Sequence, residues 1–370
     1  MRRVWRLVSA LLLGSGGGVT AGALLFQCTH ETHHTPPGPA LQFSDPSAET
    51  PPLWTGKARV TVLLVGLDAR AGDPDPPRTD TIILASLDTA EKRAAIVSIP
   101  RDLWVPIPGH GYDRINAAWP LGEAQHRMSA QKRTASSPIT GAALLRQTIE
   151  ANFGIPIDYF VAIDFQGFIR VIDALGGVLV DVERPLKDNE YPSFDYPHYE
   201  RIYIPAGLQI MDGMTALRYV RSRHQDSDFG RQRRQQQVLL AVRERLLSLH
   251  MVPRLPQLIS ALRDTVRTDM PLTEILALAR IALEVTPERI TTRVIDETLT
   301  TRWITPGGAD VQLPKWPEIR RMLAEVWGVS PPSAAVPSPT LPVKQVPHAR
   351  VGTATEQAMG ARSQTGTVPP

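Results

Sequence analysis

Apolar residues along the chain fall into blocks of two different periods. Residues 58–66 (ARVTVLLVG), 80–87 (DTIILASL) and 93–99 (RAAIVSI) are β-branched runs that read as strands, the last two joined by a turn over 88–92. Their near-continuous apolar character predicts strands buried on both faces. Further strands are expected over 159–163, 178–182 and 289–295. Elsewhere a helical period takes over. Residues 138–153 read as a helix with Pro138 early and Gly154 just past its end, the asymmetry that helix termini favour. Residues 165–175 form a helix stopped by Gly176 and Gly177, and Asp212 caps one carrying Leu217 and Val220. The run 229–249 aligns Val238, Leu239, Val242, Leu246 and Leu249 along one face. Helices are also expected over 253–266, 271–284 and 316–327. Strands covered by helices on both sides predict an α/β fold, a three-layer α-β-α sandwich with a central mixed β-sheet. The stretch 184–207 offers no element, only a long loop rich in aromatics (Tyr191, Phe194, Tyr196, Tyr199, Tyr203).

Neither period reaches the ends. Residues 1–6 hold three arginines, and residues 7–26 contain no charge. About 20 residues suffice to cross the hydrocarbon core as a helix, and flanking arginines keep their own side cytoplasmic. The reading is one N-terminal transmembrane helix over 7–26, a signal anchor that places the protein in the cell membrane with the remainder outside. Glycines 14, 16, 17, 18 and 22 weaken the run, so a cleaved signal peptide is the rival. Residues 27–57 form a proline-bearing tether, whose His30, His33 and His34 lack the carboxylates or cysteines of a metal site. Residues 58–328 carry the folded domain, and 329–370, rich in Pro, Ala, Ser and Thr, reads as a disordered tail. Cys28 is the only cysteine, which excludes an internal disulfide framework.

A net charge of +3 over 370 residues is too small to imply a nucleic-acid partner, so any basic function must be local. It is local. Arg221 and Arg223 leave the end of one predicted helix, and Arg231 and Arg234 open the next. Arginines crowded at a helix start become favourable once an anion arrives there, and the planar guanidinium grips phosphate oxygens bidentately. Standing alone, the cluster reads more readily as a solvated basic surface braced by Asp226 and Asp228. It does not stand alone. Asp68 ends the first strand, Arg78 and Asp80 start the second, Arg101 and Asp102 follow the third, and Arg114 follows a Gly-rich loop. Charged groups at one edge of an open α/β sheet sit where such folds bind ligands. Asp68 and Asp80 can jointly hold Mg²⁺, which takes a few carboxylate oxygens beside water and substrate phosphate; separately, each is an ordinary turn or cap aspartate.

The runs GLDAR (66–70), RTDTIILASLD (78–88), SIPRDLWVPIPG (98–109), RINAAW (114–119), LGGVLVDV (175–182), QIMDGMTALRYVRSR (209–223) and DFGRQRRQQ (228–236) together resemble the LytR–CpsA–Psr family. The resemblance carries motifs over about residues 58–250 and extends by helix pattern towards 328. It implies a membrane-anchored, extracytoplasmic phosphotransferase that moves a glycopolymer from a polyprenyl-pyrophosphate carrier onto a peptidoglycan acceptor with Mg²⁺. It assigns Asp68 and Asp80 to the metal and Arg101, Arg221, Arg223 and Arg231 to the pyrophosphate. Gln235 matches the polar position one helical turn beyond Arg231, while Arg234 lies beside the pattern; Arg78 and Arg114 join the same basic wall. Such a donor needs an apolar tunnel, for which Ile83, Val97, Phe160, Phe168 and Ile172 are candidates against their reading as ordinary core. Rival functions are a pyrophosphatase, a non-catalytic envelope regulator and a cytoplasmic DNA-binding regulator. The expected anchor argues against the last and against any nucleic-acid partner, because it puts the arginines on the wrong side of the membrane.

Overall fold

The computed structural model of the chain describes residues 54–69, 76–131, 140–193, 198–223, 225, 227–248 and 266–327. The expected anchor, most of the tether, the tail and the expected helix over 253–266 (save its final residue) lie outside the described residues. Among the described residues, no helix is long and apolar enough to cross a membrane.

The chain opens with β1 (Arg59–Asp68), β2 (Arg78–Asp88) and β3 (Arg93–Ser98), an antiparallel meander. A short hairpin, β4 (Trp104–Ile107) and β5 (Gly111–Arg114), leads into α1 (Ala118–Gln131) and α2 (Gly141–Phe153). Then come β6 (Tyr159–Asp164), α3 (Phe165–Ala174), β7 (Val178–Val182), β8 (Leu186–Pro192), β9 (Tyr199–Ile204), β10 (Gly207–Met211), α4 (Gly213–Arg221) and α5 (Asp228–Ser248). The last elements are β11 (Val266–Thr268), α6 (Leu272–Glu284), β12 (Ile290–Val294), the hairpin β13 (Thr300–Ile304) and β14 (Asp310–Pro314), and α7 (Trp316–Trp327). The central sheet runs β11-β6-β1-β2-β3-β12 and is mixed, with β6 parallel to β1 and β12 parallel to β3.

Alternation along the strands sorts their side chains into two unlike layers. Leu63, Val65 and Leu67 of β1, Ile82 and Leu84 of β2 and Val97 of β3 belong to a dry core with α1, α2 and α7, where Trp119, Leu145, Phe153 and Leu323 are at most 1% exposed. On the opposite face Val62 and Leu64 are only half-buried. They face α5 and α6 across a cavity of about 1010 Å³ lined, among the described residues, by Leu64, Ala85, Ile96, Phe160, Leu239 and Leu278. The expectation of strands buried on both faces holds for the dry core and only in part on the other face, where Ile83 and Ile96 are buried but Val62, Leu64 and Ala85 are half-buried beside the hollow.

Three further expectations change. The stretch 184–207 is not a loop: β8 and β9 pair within it, and Leu186, Tyr191, Ile202 and Ile204 point inward. Its alternation was hidden because Asp188 also points inward, 1% exposed, and accepts a hydrogen bond from Ser222 Oγ at 2.7 Å. Helix α2 starts at Gly141, with Thr140 Oγ1 capping the Ala143 amide, and ends at Gly154 in the left-handed region at φ 69°. Of the proposed tail-binding residues, only Phe160 lines the hollow. Val97 points into the dry core, and Ile172 and Phe168 pack in a separate cluster under β7 and α4. Ile83 pairs with Leu64 and shares its face, yet it is 4% exposed and outside the cavity lining.

Candidate active site

A β-bulge sets the site. Thr81 pairs with Gly66 and Thr79 with Leu67, so Asp80 is the extra residue. The bulge re-aims Asp80, and its Oδ2 accepts a hydrogen bond from Arg101 Nη1 at 2.8 Å. Asp68 is the partner of Arg78 one step past the buried Leu67–Thr79 pair, so alternation turns it away from the dry core. Arg101, at the end of the third strand, is ringed by carboxylates: Asp80 at 2.8 Å, Asp102 at 3.4 Å and Asp228 at 3.7 Å. Arg231, one turn into α5, bonds Asp228 at 2.7 Å and the Asp80 carbonyl at 3.2 Å.

The charges shift one another. Burial pushes the Asp80 carboxyl up, but Arg101, Arg231 and Arg223 outweigh it and hold it below the usual carboxylate range. Asp102 ends on the other side: burial raises it, Asp228 and Asp80 add to the rise, and Arg101 and Arg114 only partly oppose it. Burial lowers Arg231, with the neighbouring Arg101 and Arg223 in the same direction. A guanidinium at that depth, crowded by like charges, is a group that an incoming anion would relieve. The Nε of Arg231 is buried without a hydrogen-bond partner, so donor capacity remains on it, whereas the Nε of Arg101 faces Asp102 and Asp228 at ion-pair distance.

Helix α4 delivers the remaining arginines. Asp212 caps it, its Oδ1 accepting from the Thr215 amide at 2.7 Å, as expected, and Gly213 lets its first turn press against the Ile169 carbonyl of α3, where an added Cβ would lie 2.4 Å away. At the other end Arg221 lies over the rings of Phe165 (4.5 Å) and Tyr191 (5.3 Å) and donates to the Pro192 carbonyl. Arg223 is exposed just beyond, close enough to Asp80 and Arg231 to shift both.

Arg234, Gln235 and Arg114 are placed differently. Arg234 is 8% exposed and bonds the carbonyls of Tyr219 and Ser222; Gln235 bonds that of Val220. Together they satisfy carbonyls that the end of α4 leaves over, so they brace the helix bearing Arg221 and Arg223. Arg114 leans on Asp102 at 3.4 Å and the Asp310 carbonyl at 3.0 Å, which ties it to the β13–β14 hairpin. Arg78 is exposed at the head of β2. Asp102 and Asp228, legible in the sequence only as a charge at the sheet edge and a brace of the basic run, both stand against Arg101.

No group of three or more His, Cys, Asp or Glu side chains among the described residues is arranged for a metal. Asp68 and Asp80 offer two carboxylates at most, an all-oxygen set that fits Mg²⁺ where water and phosphate supply the rest.

The model of the LytR–CpsA–Psr family matches residues 30–326. The chain is similar to the polyisoprenyl-teichoic acid–peptidoglycan teichoic acid transferase TagU of Oceanobacillus iheyensis, 32% identical over 286 residues, which cover 75% of this chain and 81% of TagU. Among solved structures it resembles TagV of B. subtilis, with a TM-score of 0.60 and 28% identity, covering 75% of this chain and 100% of that one. It also resembles TagT bound to LI-WTA, with a TM-score of 0.55 and 27% identity, covering 77% and 96%.

Proposed function

The chain belongs to the LytR–CpsA–Psr family, and we propose that it is a Mg²⁺-dependent phosphotransferase that moves a glycopolymer from a polyprenyl-pyrophosphate carrier onto peptidoglycan. The observation that carries this reading is the pairing of two unlike places on one sheet. An arginine–carboxylate cluster lies at the Asp68 end of β1, and an apolar hollow of about 1010 Å³ runs under the same strand. A donor with a charged head and a long hydrocarbon tail matches that combination. The finer architecture goes with it: a three-layer α-β-α sandwich over 58–328, anchored in the cell membrane through 7–26 and facing outward.

In this reading Arg101, Arg221, Arg223 and Arg231 neutralise the pyrophosphate and stabilise charge developing on the departing polyprenyl phosphate. Asp68 and Asp80 would hold Mg²⁺, which when bound supplies Lewis-acid charge neutralisation. An acceptor sugar hydroxyl attacks the sugar-linked phosphorus, the new P–O bond forms as the bond to the bridging oxygen breaks, and polyprenyl phosphate leaves with that oxygen while the hydroxyl's proton passes to the leaving phosphate or to water. Asp80, held ionised by its arginines, orients the attacking hydroxyl. Arg234, Gln235 and Arg114 act behind this set as braces.

The test is full-length protein with a lipid-linked donor and nascent peptidoglycan, with and without chelator. Labelled peptidoglycan that disappears with chelator, and in Arg223→Ala by about 10²–10³-fold, supports the proposal. Release of free phosphosugar with no labelled peptidoglycan would make the protein a pyrophosphatase. Donor binding with no turnover at all would make it a non-catalytic regulator.

A further inference from the structure

A second cleft, of about 550 Å³, opens at the far end of β1, lined by Trp54, Lys57, Val60, Tyr159, Glu274 and Ala277 among others. Val60 and Asp68 are separated by eight steps of strand, roughly 25 Å, so this cleft is remote from the arginine cluster. Its floor is apolar: Val60, Ile157 and Ala277 are at most 5% exposed. Its walls are polar and incompletely satisfied. The Tyr159 hydroxyl is hydrogen-bonded to Glu274, which raises its pKa to about 12, and Glu274 Oε2 is buried with no partner. Asp158 is fully used, holding the Thr61 amide at 2.8 Å and Lys57 Nζ. The Lys57 side chain is 72% exposed, with donor capacity left over. Trp54 is pinned by its own Nε1, which donates to the Lys57 carbonyl at 2.8 Å.

A ligand for this cleft must give a hydrogen bond to Glu274, accept one from Lys57, lay an apolar face on an aromatic side chain and place a small apolar group on the floor. Two carboxylates against one ammonium disfavour an anionic polymer or phosphate. An N-acetylated sugar meets every condition: hydroxyl and amide donors, hydroxyl acceptors, a C–H face for Trp54 or Tyr159, and an acetyl methyl for Val60 and Ala277. We propose that the cleft around Trp54, Lys57, Tyr159 and Glu274 binds an N-acetylhexosamine glycan, holding the acceptor at a distance from the reacting centre. The identification of that glycan as the acceptor rests on the proposed function; the binding itself does not.

The probe is a β-1,4-linked N-acetylglucosamine trimer titrated by calorimetry into the full-length protein in detergent. Binding should weaken about tenfold or more in Trp54→Ala and several-fold in Glu274→Gln, and stay unchanged in Arg101→Ala. Transfer assays on Trp54→Ala should show a raised KM for peptidoglycan with donor binding intact. No trimer binding, binding indifferent to both cleft variants, or displacement by inorganic phosphate would overturn the proposal. If the wild type transfers nothing yet the trimer binds here, the cleft stands and the transferase reading falls.

Discussion

Replacing Arg101 by methionine keeps the length of the side chain and removes its charge. Arg101 is 18% exposed and stands within 2.8–3.7 Å of Asp80, Asp102 and Asp228, which are 22%, 27% and 26% exposed. Removing one partner of a buried ion pair costs about 3–5 kcal/mol. Residual solvent access and the remaining help of Arg231 place the expectation near the lower bound, about 3 kcal/mol at neutral pH. At about 2–4 °C per kcal/mol, Tm should fall by roughly 6–12 °C. The loss should also depend on pH. In the wild type Asp80 lies below the ordinary carboxylate range, so its stabilisation is present at neutral pH and fades as pH falls through that lowered value. In the variant, burial acts with less opposition and raises the carboxyls. A raised carboxyl stabilises below its unfolded pKa and loses that contribution as pH rises. The two curves must therefore converge on acidification. Thermal unfolding at pH 7.5 and at about pH 3, on either side of the ordinary carboxylate range, beside transfer assays at neutral pH expected to fall about 10²–10³-fold, checks both consequences. A Tm difference as large on the acid side as at neutral pH would refute the electrostatic account of the cluster, whatever the activity shows.

Other outcomes follow from single contacts. Arg234→Met should lose about 1–3 kcal/mol in urea unfolding, because buried carbonyls at the end of α4 lose their donors; Arg234→Lys, without the fork, should recover only part of it. Asp102→Asn should be neutral or stabilising at pH 7.5 and lose that advantage below the carboxylate range, since Asp102 is raised in the folded state and so stabilises only at low pH. Ala85→Trp, which fills the hollow beside Val62 and Ile96, should raise KM for a long-chain donor and spare a short-chain analogue. Gly213→Ala should cost about 1–3 kcal/mol and weaken donor binding, because α4 must move off the Ile169 carbonyl.

What the sequence made legible was whatever local pattern determines. The β-branched runs of β1 to β3, the Asp212 cap and the Gly154 stop were read to within about two residues, and the arginines and aspartates were found by position at strand and helix ends. Four things were not legible. The bulge that re-aims Asp80 depends on the register between two strands, which no single run contains. The split between ligand-facing and bracing arginines depends on which carbonyls lie beneath α5; Arg231 and Arg234 share a sequence context and differ only in what they meet. The hollow was misassigned because Val97 and Ile96 are equally apolar, and only the pleat decides which faces the dry core. The β8–β9 hairpin escaped because an inward aspartate broke its alternation.

The hollow beneath β1 and β2 has a bearing on how long the protein lasts. Among the described residues, part of that sheet face, around Val62, Leu64 and Ala85, borders the hollow instead of packed side chains, so the core there still lacks part of a layer. A bound hydrocarbon tail would be that layer, and mass action then ties resistance to unfolding to the supply of tails. Empty protein would open first near α5 and α6, which line the hollow, and be the preferred substrate of proteases, while loaded protein would persist. Abundance would thus track the lipid carrier without any dedicated sensor, and pulse–chase half-lives under carrier depletion would show it.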